Sequence, residues 1–201
     1  MTSNVNNRRA AIRLIVFLLF DLILVVLAVF VYPKNNTSEA AIINEYNGKN
    51  YIAKQHQADA CLLGALATSL NYLTGGYNYT SQGVAMAYRA KYGKSDWALD
   101  GNTSHQTQLL ANFAGFQHLE FDHLNAPQNT KPVDALTYLA WSHSYAMVFL
   151  DGQPQHAIVL IDLLKDNKVV YADPIDGQFY FVDAAKLYAR LEAQKWYFRA
   201  K

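Results

Sequence analysis

One cysteine stands in this chain, Cys61, and it opens the apolar run CLLGALATSLNYL. A thiol becomes a nucleophile when its surroundings favour the thiolate and a base stands ready to take and return a proton. After Cys61 the residues Leu62, Ala65, Leu66, Ser69, Leu70 and Leu73 recur every three or four positions, the spacing of a helix. Asp59 is the expected N-cap and Gly75-Gly76 the stop. Cys61 then falls in the first helical turn, where unpaired amides and the macrodipole favour an anion.

Six histidines compete for the role of base. His56 is near in sequence and could approach the thiol; His105, His118, His123 and His143 sit in polar, loop-like stretches. His156 is different, because it immediately precedes AIVLI, the strongest buried-strand run in the chain. At the end of the next strand stands Asp173, followed by Pro174. A carboxylate beside an imidazole fixes its tautomer and stabilises its cation. Two hairpin registers are open. If His156 and Asp173 lie side by side, Ile161 faces Lys168 and residues 162–167 form the loop. A tight turn at Asp166-Asn167 instead carries Asp173 roughly 13 Å away along the strand. Gln55, shortly before the cysteine, offers a side-chain amide that with the Cys61 N–H would serve an oxyanion; Gln57 stands close by.

The elements that must position these residues change period along the chain. Besides the Cys61 helix, helices are expected over 81–92, 107–114 and 132–142. Strands are expected over 145–150, 157–161, 168–172 and 178–182, with a turn at Asp151-Gly152. Asp183 should cap a short helix to about residue 192, and 196–199 should close the sheet. Helices first and an antiparallel sheet after make an α+β plan, with one sheet face covered by the long helix. The segment 94–105, with Trp97, reads as a cleft wall or an ordinary surface loop.

Ahead of all this lies LIVFLLFDLILVVLAVFVY, residues 14–32, about the length of a bilayer-spanning helix and interrupted only by Asp21. Arg8, Arg9 and Arg13 precede it and only Lys34 follows closely, so the positive-inside rule sends the rest of the chain across the membrane. The expected organisation is a cytoplasmic N-terminus over 1–13, a transmembrane signal anchor over 14–32, a tether over 33–45 and one domain over 46–201. A long cleaved signal, with secretion of the remainder, is the alternative. A single cysteine forms no internal disulfide, and a free thiol on the oxidising side calls for burial, a partner chain or chemistry. A net charge of +1 with no arginine stripe argues against nucleic acid. No metal site is expected, because no His, Cys and carboxylate cluster has ligand spacing.

Taken in order, Gln55, Cys61 opening a helix, His156 at a strand start and Asp173-Pro174 (YADP) closing the next strand resemble the papain-like cysteine peptidases. The chain most resembles their bacteriocin-processing, double-glycine-type branch, whose helix likewise runs on as an Ala- and Leu-rich stretch ending in Asn-Tyr and Gly, as in ALATSLNYLTG. The resemblance covers residues 50–185. Ala60 and Leu62 flank the cysteine where many members carry Asp and Gly, a change that removes no catalytic atom. The resemblance implies a papain-like fold, Cys61 as nucleophile, His156 as general base and acid, Asp173 as orienting residue, Gln55 as oxyanion donor and no cofactor. The expected activity is hydrolysis of a peptide or amide bond in an extracytoplasmic peptide or protein substrate. Leader maturation fits poorly, since this chain has no phosphate-binding glycine loop and its domain is placed outside. A silent binding module of the same fold, or a transpeptidase using the same acyl-enzyme, are the rivals.

Overall fold

The structure is a computed structural model that describes residues 48–200, apart from 49, 94–96, 98–107, 110, 114, 116–118, 125–130, 141–144, 153–154, 165 and 192–194. The expected cytoplasmic segment, membrane span and tether over 1–45 lie outside the described residues. Among those described, no helix is long and apolar enough to cross a membrane.

The second half of the chain folds as the four expected strands, β2 (Met147–Leu150), β3 (His156–Leu163), β4 (Lys168–Asp173) and β5 (Gln178–Asp183), each antiparallel to the next. Two more strands, β1 (Leu119–His123) and β6 (Trp196–Ala200), complete a six-stranded sheet of order β1-β6-β2-β3-β4-β5. β6 was expected at the rim but lies inside the sheet, because β1 supplies a partner on its outer side. β1 was not expected at all. Its sequence LEFDH holds two apolar positions, Leu119 and Phe121, too short an alternation to stand out from its polar flanks. β2 begins later than expected, because Tyr145 takes a positive φ of 46° that breaks the extended chain.

Helices pack on and beside the sheet. α1 (Cys61–Thr74) ends at Gly75, whose left-handed φ of 65° lets its N–H turn back to the Asn71 and Tyr72 carbonyls. α2 (Ser81–Tyr92) has the expected bounds, with the Thr80 side chain accepting the Gly83 N–H as cap. α3 (Pro132–Ala140) and α4 (Ala184–Arg190) follow in the second half. Residues 108–109 and 111–113 are helical too, within the expected third helix. Asp183 is the N-cap residue of α4 as expected, but its side chain makes no capping hydrogen bond; its carboxylate pairs with Lys186 Nζ at 3.0 Å instead.

The long helix covers one face of the sheet as expected, and two shorter helices cover the other. α1 packs on β2, β3 and β4, building a core with Leu66, Phe149, Val159 and Phe198. α3 and α4 pack on the opposite face around Leu136, Leu139, Ile158 and Leu187. A sheet buried on both sides needs no polar alternation, which is why β2 and the start of β3 run apolar as MVFL and AIVLI. Each fully buried Leu or Ile here contributes about 1.5–3 kcal/mol.

One side of α1 is not apolar. Gly64, Thr68 and Asn71, spaced by a turn each, receive the incoming segment 51–55. Asn71 alone makes four hydrogen bonds: Nδ2 to the Tyr51 and Tyr79 carbonyls at 3.1 and 2.9 Å, Oδ1 from the Asn78 and Tyr79 amides at 2.8 and 2.7 Å. Removing it strands buried backbone groups without partners, so Asn71→Ala is expected to cost about 2–4 kcal/mol in urea unfolding. A loss under about 1 kcal/mol would show that water replaces the amide.

Candidate active site

Cys61 is the first residue of α1, and the first intrahelical bond runs from the Gly64 N–H to the Ala60 carbonyl at 3.0 Å. The Cys61 N–H therefore lies ahead of the helical ladder, among the amides a helix start leaves unpaired. Asp59 is not the cap. Ala60 occupies that position and no side chain caps the helix, because residues 57–60 form a turn closed by the Ala60 N–H and the Gln57 carbonyl. The Asp59 carboxylate instead accepts from Gln57 Nε2 at 2.6 Å. No carboxylate thus neutralises the helix start beside the thiol. Cys61 itself is buried, 8% exposed, and its thiol faces the Gln155 carbonyl at 3.9 Å.

Gln155 leads into His156, the first residue of β3, and Asp173 is the last residue of β4. Neither expected register holds. Leu160 and Val159 face Tyr171 and Ala172, a bulge follows between Leu160 and Asp162, and beyond it Leu163 faces Val169. A three-residue loop with Asn167 at φ 62° closes the hairpin. Continued toward the site, this register sets Asp173 opposite Ile158, diagonal to His156 and on the same side of the strand pair. The diagonal is within reach: His156 Nε2 and Asp173 Oδ1 stand 2.8 Å apart, with the side chains 18% and 14% exposed.

The turn after Asp173 holds its carboxylate in place. Oδ1 also accepts the Ile175 N–H at 2.9 Å, and the Asp173 carbonyl accepts the Gly177 N–H at 2.9 Å, with Gly177 at φ 74°. Asp-Pro-x-Asp-Gly is therefore a turn whose first residue orients an imidazole. With Nε2 engaged, Nδ1 is the ring nitrogen left for the thiol. Burial, the largest single influence on His156, disfavours its cation. The hydrogen bonds to Asp173 and Cys61, and the negative charge of both, outweigh that and raise its pKa from 6.5 to about 9. An imidazolium held between carboxylate and sulfur is the protonation state that nucleophilic thiol chemistry requires.

Gln55 lies on the segment over Gly64. Its N–H donates to the Pro174 carbonyl at 2.7 Å, and its Nε2 spends one hydrogen on the Ala58 carbonyl at 3.2 Å, keeping a second. Its Oε1 is buried without a partner among the described residues. Gln57 is exposed and occupied with Asp59. Of the other histidines, His56 binds Ser81 Oγ at 2.8 Å, His123 ends β1, and His105, His118 and His143 lie outside the described residues. Trp97 is 4% exposed within the α1 core, 6.5 Å from the His56 ring, and the rest of 94–105 is outside the described residues. Among the described residues no group of three or more His, Cys, Asp or Glu could hold a metal ion.

The sequence expectation missed two parts of the site, the Gln155 carbonyl and the close approach of Pro174 to Gly64. The first is a backbone group with no residue signature; the second was signalled only by a glycine inside a helix. No family model matches the chain, and no curated protein matches it.

Because the folded pKa of His156 is raised, its charge stabilises the fold fully below about pH 6.5, and that contribution is lost as pH rises through about 9. The stability difference between the wild type and His156→Phe should therefore be largest below pH 6.5 and shrink to a plateau above pH 9. A difference constant across that window would mean that the folded chain holds His156 neutral.

Proposed function

We propose that the chain is a cysteine peptidase of papain-like fold that hydrolyses a peptide or amide bond through Cys61, His156 and Asp173. The observation that carries this is the 2.8 Å bond between the Asp173 carboxylate and His156 Nε2, with the Cys61 thiol of an uncapped helix start facing the carbonyl of Gln155, the residue next to His156. The thiolate attacks the scissile carbonyl, and the oxyanion that forms meets the Cys61 N–H and the second Nε2 hydrogen of Gln55. Collapse breaks the C–N bond, the leaving amine takes the proton from His156, and the acyl group stays on sulfur as a thioester. His156 then removes a proton from water, which attacks the thioester; the acid leaves and the thiol is restored. Asp173 keeps the imidazole in orientation through both steps.

The order of parts supports the likeness to the papain-like peptidases and their bacteriocin-processing branch: a helix-borne cysteine, then histidine and carboxylate on adjacent antiparallel strands. With the apolar segment 14–32 and its flanking arginines, the enzyme is placed on the outer side of a membrane, single-pass, acting on a peptide or protein there.

Iodoacetamide alkylation of Cys61 against pH, in the full chain beside His156→Ala, tests the pairing. Alkylation should stay fast below pH 7 in the wild type and slow in the variant; the pH profile of an ordinary thiol in both would sink the proposal. Against a cleaved peptide, His156→Ala should lower kcat about 10²–10⁴-fold and Gln55→Ala about 10²–10³-fold. An unchanged kcat in Gln55→Ala would remove it from the oxyanion site.

A further inference from the structure

We propose that Gly64 is a positioning residue: having no side chain, it lets Pro174 close against α1 and so sets the Asp173 carboxylate on His156. This rests on the peptidase reading and deepens it. A Cβ on Gly64 would stand 2.6 Å from Pro174 Cβ, 3.1 Å from the Ala53 carbonyl oxygen and 3.3 Å from the Gln55 nitrogen. Carbon atoms in contact settle near about 3.5–4.0 Å, so the proline or the helix must retreat by about 1 Å. Pro174 has no rotamer by which to escape. Its ring is rigid, it is buried, and its carbonyl is held by the Gln55 N–H at 2.7 Å.

Three parts of the site meet at this one position. Cys61 lies one turn earlier on the same helix, Gln55 belongs to the segment lying over Gly64, and Asp173 directly precedes the proline. A retreat of about 1 Å carries the 2.8 Å bond between His156 and Asp173 beyond hydrogen-bond range. Without that bond the charge on His156 loses its main support while burial still opposes it, so the imidazolium weakens. If the helix retreats instead, Cys61 moves away from the imidazole. Either displacement returns the proton from the imidazole to the sulfur without touching a catalytic atom.

The test is the pH profile of Cys61 alkylation in the full chain for wild type, Gly64→Ala, Gly64→Ala/Pro174→Gly and His156→Ala, with circular dichroism as a check on folding. Gly64→Ala should lower the rate at pH 6 about tenfold and leave it unchanged at pH 10, where thiols are ionised in any case. Removing the opposing Cβ in the double variant should restore most of the pH 6 rate. A wild-type profile in Gly64→Ala, even with a lowered melting temperature, would make the glycine a packing residue and overturn the proposal. So would a double variant as slow as the single one, or loss of the fold in both. A wild-type rate at pH 6 that His156→Ala leaves unchanged is a separate result: it removes the peptidase reading, and this inference with it.

Discussion

The hydrogen bond from the Gln55 N–H to the Pro174 carbonyl, laid across the bare backbone of Gly64, ties the helical half of the chain to the sheet. On one side of it α1 carries the cysteine; on the other, β4 ends in the aspartate. The segment leading to Gln55 is fixed to α1 turn by turn, at Asn71, Thr68 and Gly64, so its end has little freedom. These contacts join residues far apart in sequence. The site is therefore assembled only when both halves have folded, and no part of it forms from a local element alone.

Charge then decides what the assembled site can do. A histidine as buried as His156 would ordinarily be neutral, yet its two partners hold the proton on it to about pH 9. The carboxylate is itself restrained by the Ile175 amide, in a turn that the Gly177 amide closes on the Asp173 carbonyl. On the cysteine side the helix start carries no capping carboxylate, which leaves its positive end to the sulfur. The unpartnered Oε1 of Gln55 is a buried polar atom left at a cost, the kind of local violation that folds concentrate at functional sites.

Much of this was legible in the residues. The strand runs followed from continuous apolar stretches, and α2 was expected with the bounds it has. What escaped depended on partners elsewhere in the chain. β1 is a strand because β6 pairs with it, and α1 is polar on one side because segment 51–55 docks there. The diagonal placement of His156 and Asp173 follows from a bulge near Ile161 and a left-handed Asn167, a pair of backbone details that hydrophobic pattern does not encode. Asp59 had the chemistry of a cap, but the turn before Cys61 gave that place to Ala60. Trp97 was left between wall and surface because aromatic residues serve both; its burial followed from the core around α1.

The central claim is that Cys61 carries an acyl group through a thioester. Intact-mass spectrometry of the full chain, quenched in acid after mixing with an activated peptide ester, measures that directly. The expected result is a single acyl adduct mapped to Cys61, released by hydroxylamine, absent in Cys61→Ala and slow to form in His156→Ala. An unmodified wild-type chain, or an adduct that forms equally fast without His156, would contradict the account.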